Sequence, residues 1–188
     1  ISNLVLLFTA PFIGAVTDIS RTTKVLFSGF AFVSIISVAV LYVVPQGSWL
    51  SALIFFGIAN YCFAAGNTLY DKMLLQVSDQ SNIAKISSYG FAFGYFGGGL
   101  LFVINAAMTI KPEFFGLNNV TEAVQWSFLS VSVWWTLFLI PIMLKVKDEG
   151  VHLPGNHIAM AFQKVFKTLK TVSSQKNVFI FLIAFFLY

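Results

Sequence analysis

Few side chains in this chain could do chemistry, and they fall into three groups. Gly57, Asn60, Ala64, Asn67 and Asp71 follow one another at steps of three, four, three and four residues. Positions so spaced share one face of a helix. Amides are costly in apolar surroundings unless they pair or meet water. This face therefore either lines a polar cavity or bonds to neighbouring helices. Asn105 is a third amide inside an apolar run and joins Asn60 and Asn67 as a candidate wall of a substrate pathway. The second group is Gly14, Asp18, Arg21 and Lys24 in one short segment. Its acid can meet a helix N-terminus or a basic group from another segment. Asp18, Arg21 and Asp71, with Lys72 beside the last, are candidates for a gate. The third group is Gly90, Gly94 and Gly98, four residues apart, with Gly97 and Gly99 alongside. Such glycines let two helix backbones approach closely, and the same smoothness suits a sliding helix pair.

Chemistry of other kinds finds no residues to carry it. His152 and His157 lack a third metal ligand, so no metal or cofactor is expected. No His-Glu-x-x-His, intramembrane acid pair or Ser-His arrangement points to an enzyme. No phosphate-binding glycine loop with Lys is present, and the basic residues do not form a nucleic-acid surface. Cys62 is the single cysteine and reads as a small apolar filler.

The surroundings of these groups are those of a membrane protein. Of the 188 residues, 58% are apolar and 10% are charged, where a soluble domain carries about a quarter. Mean hydropathy is +0.86. No charge falls within 1–17, 25–70, 86–110, 123–144 or 177–188. About 20 apolar residues cross a hydrocarbon core of about 30 Å as a helix, and lipid favours helices because their backbones satisfy themselves. Pro45-Gln46-Gly47-Ser48 divides the longest stretch. The expectation is an all-α polytopic bundle with spans at 2–16, 25–44, 49–68, 86–108 and 123–143, and a further one beginning at 178. The chain opens on Ile1 and both ends lie in apolar runs, as expected of a piece of a longer protein.

Charge sets the expected sidedness. The first, third and fifth connections hold ten of the eleven basic residues, and the fourth holds Lys111 alone. The positive-inside rule places the odd connections in the cytosol. Asn119-Val120-Thr121, an acceptor sequon for glycosylation, then falls on the outer side. Segment 144–177 is a cytosolic linker broken by Pro154-Gly155. After Asn156, Ile158, Phe162, Val165, Phe166, Leu169 and Val172 take one helical face, and Lys164, Lys167 and Lys170 the other. This basic amphipathic helix reads either as an interfacial anchor near anionic lipid or as a linker coupling two bundles.

These pieces resemble the major facilitator superfamily. Gly14, Asp18, Arg21 and Lys24 are similar to its motif between the second and third helices, with Ile19 where a basic residue is usual. Gly90-x3-Gly94-Tyr95-x2-Gly98-Gly99 is similar to its fifth-helix motif, with Tyr95 in place of Pro. More narrowly, the chain resembles the vacuole effluxers, the autophagy-related amino-acid effluxers and their bacterial relatives. The segment Ser87-Ser88-Tyr89-Gly90-Phe91-Ala92-Phe93-Gly94-Tyr95-Phe96-Gly97-Gly98-Gly99-Leu100 carries that likeness. Trp134-Trp135, Ile140-Pro141, Lys176-Asn177 and Phe185-Phe186-Leu187-Tyr188 support it. Tyr70-Asp71-Lys72-Met73-Leu74-Leu75 matches with Asp71 where Asn is frequent and Leu75 where Pro is. The resemblance implies helices two to seven of a twelve-helix carrier. Residues 1–143 would be an N-terminal bundle without its first helix, 144–177 the linker, and 178–188 the start of the second bundle.

The expected function is secondary transport of a small molecule by alternating access. The family suggests amino-acid efflux from the vacuole, with the plasma membrane as the site in a bacterium. No acid or base lies deep in a span, so the coupling group is elsewhere or transport is facilitated. The competing reading is a receptor or scaffold that keeps a transporter fold without transporting. Membrane lipid is the remaining expected partner.

Overall fold

A computed structural model describes residues 2–20, 22–147 and 157–175, together with 178, 180 and 184. It consists of six α-helices: α1 (Ser2–Ser20), α2 (Thr23–Val40), α3 (Trp49–Val77), α4 (Ile83–Ile110), α5 (Val120–Lys145) and α6 (His157–Ser174). A short 3-10 turn, Pro112–Phe115, precedes α5, and no strand occurs among the described residues. Helices α1 to α5 are each long and apolar enough to cross a membrane.

The helix ends differ from the expected spans in ways that matter for the site. α1 runs on to Ser20, so Asp18 sits on a helix and not in a loop. Thr17 and Ser20 hydroxyls bond back to the Ile13, Gly14 and Val16 carbonyls and carry the helix past the apolar run. α3 has 29 residues and at 1.5 Å per residue is about 44 Å long. It therefore overshoots a hydrocarbon core of about 30 Å and carries Asp71 and Lys72 beyond its apolar part. α2 stops at Val40, four residues early. Gly47, with φ of +86°, then completes the turn into α3.

Packing centres on α2 and α3. Phe27, Ala31 and Ile35 of α2 meet Leu69 and Met73 of α3, and Leu139 of α5 closes the cluster. Ser34 and Leu69 are fully buried, and the Ser34 hydroxyl donates to the Ala59 carbonyl at 2.8 Å. α5 is held on this pair by Lys24, whose Nζ donates to the Met143 carbonyl at 2.6 Å. That carbonyl belongs to the last turn of α5, where a cation offsets the helix dipole. Among the described residues, α4 joins the group mainly through α5 and the 3-10 turn, with a thin contact to α3. α6 lies against α1: Ala161 and Val165 bury on Ala15, and the Phe162 ring meets that of Phe12 at 4.5 Å.

Candidate functional site

At one end of the bundle three helices meet on one carboxylate. Asp18 of α1 accepts a hydrogen bond from Lys72 Nζ of α3 through Oδ1. It accepts a second from Lys164 Nζ of α6 through Oδ2, at 2.8 Å. Lys72 Nζ also donates to the Thr17 hydroxyl at 3.0 Å. Both carboxylate oxygens are thus charge-paired, and the acid ties α3 and α6 to α1. All three side chains keep partial solvent exposure, from 28% to 48%. Each pair is therefore a modest tie that can break and re-form, and not a permanent clamp.

Of the sequence-based gate, Asp18 and Lys72 take part in this cluster. Asp71 is exposed on α3 and outside it. Its neighbour Lys72 stands one residue further round the helix and reaches α1 instead. Arg21 lies outside the described residues. Lys164 is the member that sequence reasoning missed. Its place on the basic face of α6 was legible, but only the fold brings residue 164 to residue 18.

The amide face of α3 is split by its neighbours. The Ser2 hydroxyl donates to the Gly57 carbonyl at 3.0 Å, and Tyr61 donates to Thr9 at 3.0 Å. With the Lys72 contacts, these mark the side of α3 covered by α1. On another side the Tyr70 hydroxyl stands 3.8 Å from the Cβ position that Gly90 of α4 would carry. At about 3.6 residues per turn, Asn60, Asn67 and Asp71 fall between these two contact lines. Asn60 is half-buried and Asn67 is exposed. The result is a polar strip flanked by α1 and α4. Asn105 is placed elsewhere: its Oδ1 accepts from the Ser130 hydroxyl at 2.9 Å and ties α4 to α5.

The glycines of α4 present an open face. A Cβ at Gly94, Gly98 or Gly99 would meet nothing within 4 Å, while one at Gly97 would touch Trp134 at 3.9 Å. Among the described residues, the Tyr70 hydroxyl alone comes within 4 Å of a Cβ placed on the Gly90, Gly94 and Gly98 stripe, at van der Waals distance from Gly90. At the opposite end of the bundle, Asn119 caps α5, its Oδ1 accepting from the Glu122 amide at 2.9 Å. Glu122 in turn accepts from the Asn118 amide at 2.8 Å, and Thr121 accepts from Gln46. Gln46, Asn119, Thr121 and Glu122, with Tyr42 and Gln125, line an open hollow of about 660 Å³. No group of three or more metal-ligating side chains occurs among the described residues. His152 and the side chain of His157 lie outside them.

The vacuole effluxer Atg22-like family matches residues 1–188. The chain belongs to that family. Among curated relatives, the uncharacterized MFS-type transporter YxiO of Bacillus subtilis is 29% identical across 100% of this chain and 44% of its own length. Autophagy-related protein 22-1 of Penicillium rubens is 31% identical over 55% of this chain and 18% of its own length. Autophagy-related protein 22 of Yarrowia lipolytica is 24% identical over 66% of this chain and 24% of its own. The chain therefore spans less than half the length of these curated relatives. No solved structure matches it. As a member of this effluxer family it is a multi-pass integral membrane chain, and its five long apolar helices agree.

Proposed function

We propose that the full-length protein is a secondary transporter of a small polar solute, and that this chain supplies one wall of its pathway and part of its gate. The observation that carries the reading is the polar strip between α1 and α4, with Asn60 half-buried and Asn67 and Asp71 exposed, in an otherwise apolar bundle. Lipid is a poor neighbour for amides, whereas a water-filled pathway is a good one. The family and the transporter name of the Bacillus relative support the same reading. Amino acids are the proposed solute, with efflux from the vacuole in a eukaryotic cell. An amide pair suits them, because amides hydrogen-bond both an amino group and a carboxylate.

In this proposal residues 1–143 act as one bundle, 144–177 as a linker on the cytosolic side, and 178–188 as the start of a second bundle. The ten basic residues in odd connections favour that sidedness. The two bundles would rock about the central strip. Asp18, Lys72 and Lys164 would hold the linker helix to α1 in one state and release it in another. Two weak, solvent-reachable ion pairs suit a contact that must break in each cycle.

The test is solute flux in vesicles containing the full-length protein, with a panel of amino acids. The Asn60→Ala variant is expected to raise KM about tenfold, the worth of roughly 1.4 kcal/mol of lost solute contact. An unchanged KM removes Asn60 from the pathway. Absence of any flux from a correctly folded wild-type protein sinks the transporter reading and leaves a receptor or scaffold.

A further inference from the structure

α6 has two unlike long edges, and α1 buries the strip between them. Ala161 and Val165 are buried on α1, at 1% and 8% exposure. On one edge Lys164 is committed to Asp18. On the other, Phe162, one side of whose ring meets Phe12 of α1, and Phe166 form a ridge that is 47% and 64% exposed. At about 3.6 residues per turn, Lys170 and Lys167 come next round the helix after this ridge. Both lysines are exposed, and α6 contains three lysines and no acid.

The position of this surface is as telling as its composition. α6 packs on Phe12, Ala15, Val16 and Ile19, the last two turns of a helix long enough to cross a membrane. α6 therefore lies where the apolar part of α1 gives way to charge, which is the depth of the lipid headgroups. Aromatic rings standing out from a helix at that depth enter the acyl boundary, and lysines beside them reach anionic headgroups with their stems still in apolar contact.

We infer that the Phe162 and Phe166 ridge of α6 docks on the leaflet where α1 ends, and that anionic phospholipid is the partner of Lys167. Charge complementarity selects the lipid: a helix whose charges are all positive is drawn to an anionic surface. A zwitterionic surface gives only the apolar part. The bilayer then presses α6 onto α1 from outside and favours the Asp18–Lys164 pair from within. The inference rests on membrane insertion of α1 and not on transport.

Lipid contact is read without flux, which keeps its failure separate from failure of the transporter reading. A fluorescent NBD label is placed at Phe166→Cys in the full-length protein, and a control label at Gly116→Cys in the α4–α5 connection. The protein is reconstituted with brominated phosphatidylcholine, with or without 30% phosphatidylglycerol. Quenching at position 166 is expected to be at least twofold stronger with phosphatidylglycerol and unchanged at 116. The Lys167→Gln variant should abolish that difference while eluting as a folded protein. Quenching at 166 no greater than at 116 overturns the docking, and equal quenching in the two lipids overturns the anionic partner.

Discussion

α3 and α4 are nearly equal in length, 29 and 28 residues, yet they stand in opposite situations. α3 buries Ala59, Cys62, Ala65, Gly66, Leu69 and Met73, and its neighbours α1 and α2 hold it by hydrogen bonds as well as by packing. α4 buries only Met108. Its Phe93, Tyr95, Phe96 and Phe102 are all more than 70% exposed. Both helices are apolar enough to sit in lipid, so composition does not explain the contrast. What differs is where small residues meet large ones. A Cβ at Gly66 of α3 would lie 3.9 Å from the Phe27 ring and from the Phe30 Cβ in α2, a fit of groove to ridge. The α4 glycines form a similar groove without a described occupant. α3 is thus the spine of this bundle, and α4 is a face offered outward.

The largest effect that should separate the two helices is a core truncation. Leu69→Ala removes a fully buried side chain from the contact of α2, α3 and α5. In water such a change costs about 3–5 kcal/mol, part transfer and part cavity. In lipid the transfer part nearly vanishes because the acyl chains are as apolar as leucine. The expected cost is about 2 kcal/mol, seen as a lowered Tm of the detergent-solubilised protein. Phe93→Ala on α4 deletes a larger side chain and should leave Tm unchanged. An equal loss for both would erase the contrast.

Gly94→Leu sharpens it from the other direction. No described atom lies within 4 Å of the added Cβ, so the bundle itself has room for the leucine. If a segment of the full-length protein closes on this groove during transport, the variant should reach the membrane with normal Tm and lose at least tenfold in flux. That loss corresponds to about 1.4 kcal/mol. Normal flux would show that α4 faces lipid along the whole stripe.

Next in size is the ionic tie. Asp18→Asn removes the charge that pairs with both lysines. Pairs this exposed contribute between 0 and 1 kcal/mol each, and only the Lys164 pair joins α1 to α6, so about 0.5 kcal/mol should be lost from the α1–α6 contact. A disulfide between Ala15→Cys and Ala161→Cys, in a Cys62→Ser background, reports that contact. Its oxidation rate should fall about twofold in Asp18→Asn, and the effect should shrink in high salt. A rate that ignores both the substitution and salt would make α6 docking purely apolar.

Much of this architecture is legible in the sequence, and the boundary of legibility has a physical cause. Five helices follow from uncharged stretches, because lipid allows few alternatives to a helix. The amphipathic helix after Asn156 follows from its periodicity. Its buried strip, however, includes Ala161, which the pattern of large apolar residues passed over, while Phe166 stays exposed. Periodicity finds the apolar face, but the neighbour chooses which part to cover. Asp18 could be recognised as an acid in need of a base. That the bases are Lys72 and Lys164 depends on α3 overshooting the apolar core and on α6 folding back over α1. Neither is a local property. Asn105 shows the same limit, since an amide in lipid signals a partner without saying whether it is a solute or a serine.

The smallest effect decides that last point. Ser130→Ala deletes the hydroxyl that donates to Asn105 Oδ1 and leaves the Cβ packing in place. Interhelical hydrogen bonds between membrane helices average about 0.6 kcal/mol, so Tm should fall by only one or two degrees. The Asn105 amide would then be free to turn toward water or solute. If the bond serves only to join α4 to α5, flux should be unchanged and Asn105→Ala should behave like Ser130→Ala. If Asn105 also meets the solute, Asn105→Ala should raise KM while Ser130→Ala does not. Comparing the two variants separates a packing bond from a binding group, which a Tm difference this small could not do alone.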